Sequence, residues 1–272
     1  MAPGDCAPPV PNTDVSGIGV RVSFYLQYTL AALSCTVSQE IRDIEDALST
    51  LAVTNMAYCV TTLVLGFKSS PELTLYDGLV VMYLTLFILG FCFAITVQYT
   101  HAHGFNRYLY LLACTQCYLV LGTFLAICIT MPSFGSDAAC NSERRVSILF
   151  APVSTHAFRI AGIPISSVLL IFETVLISFA YNNFLRSFFF GKGESKKHSE
   201  YIPKLRKVQF ASNTIVYGLC VAHVETLRLY NKPDPSDSYW GFGQILPVFL
   251  IAHPAMRTLS LLRQHVAPRM CP

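Results

Sequence analysis

Long apolar runs recur along this chain of 272 residues, and they constrain its fold more than any other feature. Each run has about 20 residues, which as an α-helix crosses the ~30 Å hydrocarbon core of a bilayer. Charged residues make up only 13% of the sequence, whereas a soluble domain carries roughly 25%. Backbone groups inside lipid must pair within their own segment, so the runs predict helices and not strands. We therefore expect an all-α fold, a polytopic membrane protein with a bundle of seven transmembrane helices.

The predicted bundle occupies residues 18–262 and is flanked by two short tails, 1–17 and 263–272. Its seven spans are about 18–37, 47–67, 78–98, 108–131, 160–181, 208–227 and 241–262. The sixth span is the weakest, because five polar residues dilute it: Gln209, Ser212, Asn213, His223 and Glu225. The spans leave too few residues for a separate soluble domain.

The distribution of Lys and Arg predicts the orientation, because cytoplasmic segments are enriched in them. With the N-terminus outside, the inner segments hold eleven of these residues and the outer segments hold six. We therefore place tail 1–17 outside and tail 263–272 in the cytoplasm. The basic loop 186–207 then faces the cytoplasm, where anionic lipid headgroups attract it. The protein is expected in a membrane, and the endoplasmic reticulum and the plasma membrane are both compatible with the sequence.

Several classes of function are excluded by what the sequence lacks. The net charge is only +3, which argues against a nucleic-acid partner. No predicted span contains a lysine, so a retinal Schiff base has no attachment point. We expect no metal ion and no cofactor, because no phosphate-binding loop occurs and no ligand set has metal spacing. The acidic run at 40–46 is interpreted as a solvated loop, and membrane lipid is the expected partner.

Nine of the ten cysteines fall into two groups. Seven of the ten lie inside predicted spans, where a free thiol behaves as a small apolar residue. Cys6 and Cys140 instead fall in outer segments, which pass through an oxidising compartment. These two residues form either a disulfide between the tail and the fourth connection or two unpaired loop thiols.

Four polar residues are predicted near the middle of the membrane: Glu173, His253, Asn55 and Gln116. An ionisable group inside hydrocarbon is by default a functional candidate. Glu173 is either a general acid, kept protonated by desolvation, or a hydrogen-bonded packing residue. His253 precedes Pro254, so it is either catalytic or a structural histidine at a helix kink. Asn55 and Gln116 would support this layer.

A second polar layer is predicted toward the outer surface, and it contains Arg21, Glu225 and Gln244. Arg21 lies about one turn inside the first span, and Glu225 lies close to the outer end of the sixth. The two side chains form an ion pair, or both extend to the headgroups while Glu225 pairs with Arg228 one turn away.

Two windows, DVSGIGVRVSFYLQ at 14–27 and YWGFGQILP at 239–247, resemble the start and the end of uncharacterised multi-span membrane proteins of filamentous fungi. The likeness covers about 23 residues and carries no catalytic assignment. In size and span count the chain is also similar to fungal membrane-bound terpene cyclases, which use embedded carboxylates as acids. This second resemblance is architectural only. It implies acid catalysis on a prenylated intermediate of secondary metabolism.

Two functions therefore compete. The first is a membrane-embedded enzyme that acts on a lipophilic substrate, with Glu173 as general acid and His253 as a further catalytic candidate. The second is a ligand-responsive, receptor-like or transport bundle without chemistry, in which Arg21, Glu225 and Gln244 line an outer mouth. The enzyme requires a closed pocket around Glu173 that lipid can reach, whereas the receptor or carrier requires a vestibule that extends inward from Arg21.

Overall fold

The computed structural model of the chain describes residues 6–38, 41–103, 107–148, 150–190, 202–240 and 242–266. The chain is mostly helical, with 79% of it in helices and 4% in strands. Its α-helices are α1 Thr13–Ser16, α2 Ile18–Val37, α3 Ile41–Phe67, α4 Leu75–His103, α5 Arg107–Thr130, α6 Thr155–Phe190, α7 Ile202–Asn231, α8 Phe242–Leu250 and α9 Ala252–Val266. The strands are β1 Arg145–Ile148 and β2 Ala151–Ser154, which form one antiparallel hairpin.

Four of the helices contain stretches long and apolar enough to cross a membrane, among the residues that the structure describes. These stretches are Arg42–Phe67, Leu75–Cys92, Tyr108–Thr130 and Thr155–Ser178. They coincide with the second to fifth predicted spans. The other three predicted spans fall on α2, which carries Arg21 and Gln27, on the polar α7, and on the short pair α8 and α9.

The central helix of the bundle is α4, which packs against α3, α5 and α7. Most of its apolar stretch, 83%, is buried, whereas only 17% of the stretch in α6 is buried. The α6 helix lies at the periphery and packs mainly against α5. On the opposite side, α2 packs against α3 and also against α8 and α9. The order α6, α5, α3, α2, α9 therefore runs across the bundle.

The seventh predicted span is broken into two helices at Ile251. Pro254 has no N–H to donate to the carbonyl of Leu250 four residues earlier, and its ring crowds that carbonyl. The chain instead makes a tighter turn in which the Ile251 amide donates to Val248 O at 3.2 Å. The break therefore lies where Pro254 predicts a kink, and it divides the span into helices of 9 and 15 residues.

The hairpin β1–β2 departs from the predicted all-α fold. It lies between α6 and α7, and its backbone groups pair with side chains of the bundle. Asn231 accepts from the Arg145 amide at 3.0 Å and donates to the Arg145 carbonyl at 2.7 Å. The Tyr83 hydroxyl donates to Ser147 O. These side chains supply hydrogen bonds to backbone groups of the hairpin. A purely apolar bundle would leave those backbone groups unpaired.

Candidate functional site

Arg21 is buried near one end of the bundle, which we call the outer end because the predicted topology places it outside. Its side chain is 2% exposed and binds Asp237, which is 1% exposed, with Nη1 and Nη2 each 3.1 Å from Oδ2. Arg228 Nε lies 2.8 Å from the same Oδ2. Asp237 therefore joins two arginines, and sequence analysis missed it because it lies in a connection outside the spans.

A short turn positions Asp237. Asp234 caps the 3₁₀ turn Pro235–Ser238, and its carboxylate accepts from the Ser236 amide at 2.9 Å. This backbone bond, with the Ser236 hydroxyl, holds the pKa of Asp234 below its ordinary value. Proline at the first position of the turn has its backbone angle already fixed for it.

Glu225 completes the cluster around Arg21. Its contacts decide between the two pairings that the sequence leaves open, with Arg21 or with Arg228. Its Oε1 lies 3.5 Å from Arg21 Nε and accepts from the Tyr25 hydroxyl at 3.3 Å. Arg228 instead pairs with Asp237. Two arginines and two carboxylates therefore balance one another in an arrangement that we call the outer charged cluster: Arg21, Glu225, Arg228 and Asp237.

Gln244 connects α8 to the start of α2 beside the cluster. Its Oε1 accepts from the Gly19 amide at 2.9 Å, and its Nε2 donates to Tyr239 O at 2.6 Å. A methyl group on Gly19 would lie 2.5 Å from Gln244 Cβ, so the contact requires glycine. The sequence windows 14–27 and 239–247 thus meet in this contact.

The N-terminal segment is tied to the same end of the bundle. Cys6 and Cys140 are bonded, with their Cα atoms 5.7 Å apart. Asp77 at the start of α4 is fully buried and accepts from Ser16 Oγ at 2.5 Å and from the Asn12 amide at 3.1 Å. Its other oxygen accepts from the Thr74 amide at 2.8 Å. This carboxylate therefore caps α4 and also anchors α1.

The central polar residues do not converge on one site. Glu173 is 8% exposed and accepts from the Cys117 thiol at 2.9 Å. Asn55 is fully buried and donates to Thr85 O at 3.1 Å. Gln116 is also fully buried, and among the described residues its amide meets the Cys92 thiol and no oxygen or nitrogen partner. The expected central layer is therefore divided between the α5–α6 contact and the contacts of α3, α4 and α5.

Glu173 and His253 are not brought together by the fold. Glu173 lies on α6, which packs mainly against α5, whereas His253 lies on α9, which packs against α2. These helices stand on opposite sides of the bundle. The fold therefore places the two catalytic candidates on separate helices, and the side chain of His253 lies outside the part that the structure describes.

A groove opens at the other end of the bundle, which we call the inner end. It has a cavity volume of about 310 Å³ and runs along α2 between α3 and α9. Its walls are apolar side chains of all three helices, Leu30, Ala31, Ala47, Leu51, Pro254 and Leu261. Its polar lining residues are Gln27, Ser34, Asp43, Asp46, Thr50 and Arg257. We call these twelve residues the inner groove.

An ion pair between α3 and α9 crosses the mouth of the inner groove. Arg257 Nη2 contacts Asp43 Oδ1, and its Nε donates to the same oxygen at 3.1 Å. Asp43 is 3% exposed and also accepts from the Ser38 hydroxyl at 2.8 Å. The interpretation of the acidic run as a solvated loop is thus wrong for residues 41–46, because α3 begins at Ile41.

No family model, curated protein or solved structure matches this chain. Among the residues that the structure describes, no group of three or more His, Cys, Asp or Glu side chains has an arrangement that would hold a metal ion.

Proposed function

We propose that the chain is a multi-pass membrane protein with seven spans and an outer N-terminus. Support comes from α2 and α7, which have 20 and 30 residues and pack against the apolar helices. The pair α8 and α9 adds the seventh span. The Cys6–Cys140 bond fits an oxidising compartment on the side of the N-terminus. Protease protection of tags on the two tails tests this topology, because seven spans put the tags on opposite sides.

We further propose that the protein binds a lipophilic small molecule in the inner groove and is a receptor-like or transport bundle without chemistry. The observation that carries this proposal is the groove itself, with apolar walls and a polar mouth. Small-molecule pockets occupy about 300–1,000 Å³ and are mostly apolar with a few placed polar groups. At about 310 Å³ the inner groove has room for a slender ligand, such as a part of one aliphatic chain.

A ligand site in the inner groove is better supported than a vestibule at the outer end. Arg21 and Asp237 are almost completely buried and pair with each other, so the predicted mouth at Arg21 holds a closed charge cluster. The inner groove contains Pro254, Arg257 and Leu261 of α9, directly after the break at Ile251. A ligand in the groove therefore contacts the first turns of α9, directly after its break from α8.

Retention of lipid tests the proposal. The full chain purified in mild detergent is expected to keep a bound lipophilic molecule, measured by native mass spectrometry. Leu30→Trp fills the inner groove and should remove that molecule. Leu169→Trp is the matched control, because Leu169 is 41% exposed on the peripheral α6 and does not line the groove. Equal retention by the two variants would contradict the proposal.

Acid catalysis at Glu173 is a second proposal, favoured by the burial of this carboxyl group within the α5–α6 contact. A buried carboxylic acid that stays protonated is a competent general acid. The substrate would be a prenylated or terpenoid intermediate. Comparison of lipid extracts from cells with and without the gene tests this proposal. Unchanged prenylated metabolites, or an unaltered product pattern with Glu173→Gln, would rule it out.

A further inference from the structure

We infer that the inner groove is selective for a single-chain amphiphile with a protonated amine at one end, at the groove mouth, and a second N–H or O–H donor further along the chain, at the depth of Gln27. This inference rests on the proposed binding function and adds the chemical class of the ligand. It follows from the charges, the hydrogen-bond acceptors and the apolar walls of the inner groove.

The charged side chains that line the groove leave a negative charge at its mouth. They are Asp43, Asp46 and Arg257. Arg257 is already engaged with Asp43 through two of its nitrogens. Asp46 lies one turn further along α3 and is exposed, with no ion-pairing partner among the described residues. A cationic headgroup at the mouth would pair with Asp46, whereas a phosphate or carboxylate headgroup would be repelled.

Deeper in the groove, an acceptor lacks a donor. Gln27 Oε1 is buried, and among the described residues no group donates to it. Ser34 Oγ and Thr258 Oγ1 are hydrogen-bonded at 2.9 Å, and Thr258 Oγ1 also donates to Pro254 O at 2.8 Å, so neither hydroxyl supplies that bond. A buried acceptor without a partner costs about 1–3 kcal/mol, which a donor on the ligand would recover. Gln27 is seven residues before Ser34, about 10 Å along α2.

The apolar walls of the groove limit the width of the ligand's chain. Leu30, Ala31, Leu51 and Leu261 line the groove between its mouth and Gln27. Ala31 on α2 and Ala47 on α3 have small side chains and leave room for a thin aliphatic chain, while a fused-ring body requires a wider pocket. Apolar burial of the chain then contributes about 0.8 kcal/mol for each CH₂ group.

Photo-crosslinking with matched probes tests the inference. The probes are an amino alcohol with its amine at one end of an aliphatic chain and its hydroxyl at the other, the same alcohol without the amine, and the hydroxy acid with a carboxylate in place of the amine, each with a diazirine on the chain. The full chain in lipid nanodiscs is exposed to each probe, and crosslinked peptides are identified by mass spectrometry. We expect the amino alcohol to label peptides of α2, α3 and α9 at concentrations about tenfold below those that the other two probes require.

Two variants and a control separate this inference from the proposed function. Asp46→Asn should weaken labelling by the amino alcohol about tenfold and leave labelling by the alcohol unchanged. Glu45→Gln removes the same charge one residue away, outside the groove lining, and should preserve the preference. Gln27→Leu should weaken labelling by the amino alcohol without lowering the unfolding temperature, because it removes an acceptor that has no partner in the free protein.

The outcomes are distinguishable. Groove labelling with equal strength by the alcohol and the amino alcohol overturns the amine class and leaves the binding function intact. Equal effects of Asp46→Asn and Glu45→Gln also overturn the amine class. Preferential labelling by the hydroxy acid reverses the sign of the inferred ligand. Labelling confined to peptides outside the inner groove overturns both the inference and the proposed function.

Discussion

The two ends of the bundle are held together in different ways. At the outer end, both partners of a contact are buried, as in Arg21 with Asp237 and Asp77 with Ser16. At the inner end, the pair of Asp43 with Arg257 joins α3 to α9, and the Arg257 side chain is 56% exposed. Buried charge pairs resist separation strongly because each partner would be left uncompensated, whereas an exposed arginine can be solvated by water. We therefore expect the outer end to be held more firmly than the inner end.

Breaking the outer charged cluster should have the largest effect. Asp237→Ala leaves Arg21 buried without its closest carboxylate, and loss of one partner of a buried pair costs about 3–5 kcal/mol. Thermal unfolding in detergent is expected to shift strongly downward. Glu225→Gln serves as the control, because the Glu225 side chain is 41% exposed and its removal should cost less than about 1 kcal/mol. Equal shifts in unfolding temperature for the two variants would mean that Asp237 is not needed to compensate the charge of buried Arg21.

Removal of the disulfide should have the next largest effect. The bond joins residues 134 positions apart, and a native disulfide typically contributes about 2–4 kcal/mol. Replacement of both Cys6 and Cys140 by serine should lower the unfolding temperature. A reductant should lower that of the parent protein and leave the double variant unaffected. A parent protein that shows no dependence on the reductant would contradict this part of the comparison.

The anchor of the N-terminal segment should be less costly to disturb. Asp77→Asn keeps the side-chain shape but places an amide among donors from Ser16, Asn12 and Thr74. We expect a loss of about 1–3 kcal/mol in stability, together with easier proteolysis before α2. Asp14→Asn is a suitable control, since Asp14 is exposed. A protease pattern shared by both variants would argue against the anchor.

The smallest effect on stability is expected at the inner end. Arg257→Gln removes the ion pair across the groove mouth; because Arg257 is exposed and the buried Asp43 keeps its hydrogen bond from the Ser38 hydroxyl, we expect a loss of only about 1 kcal/mol. The unfolding temperature should hardly change, while release of a bound lipophilic molecule should become faster. A stability loss as large as that of Asp237→Ala would show that the two ends are held equally firmly.

Sequence patterns predict the apolar helices well because burial in lipid imposes a single requirement on every residue of a span. The same patterns identify Arg21, Glu225 and Gln244, since polar residues in apolar runs stand out. Asp237 could not be found in this way, because it lies in an ordinary polar connection and is buried only by folding. The inner groove had a weak signal: Asp43, Asp46, Ala47, Thr50 and Leu51 have the spacing of one helix face. Assignment of the acidic run to a loop concealed that face.

Cysteine accessibility at two matched depths of α2 tests the central claim, that the inner end is open and the outer end is closed. Leu30 lines the inner groove seven residues before the inner end of α2, and Phe24, 2% exposed, lies six residues after its outer end. Each is replaced by cysteine and treated with a small membrane-impermeant maleimide on the corresponding side of oriented vesicles, with the parent protein as background. We predict that Leu30→Cys is labelled from the inner side and that Phe24→Cys is not labelled from the outer side. Labelling of Phe24→Cys without labelling of Leu30→Cys would contradict the claim.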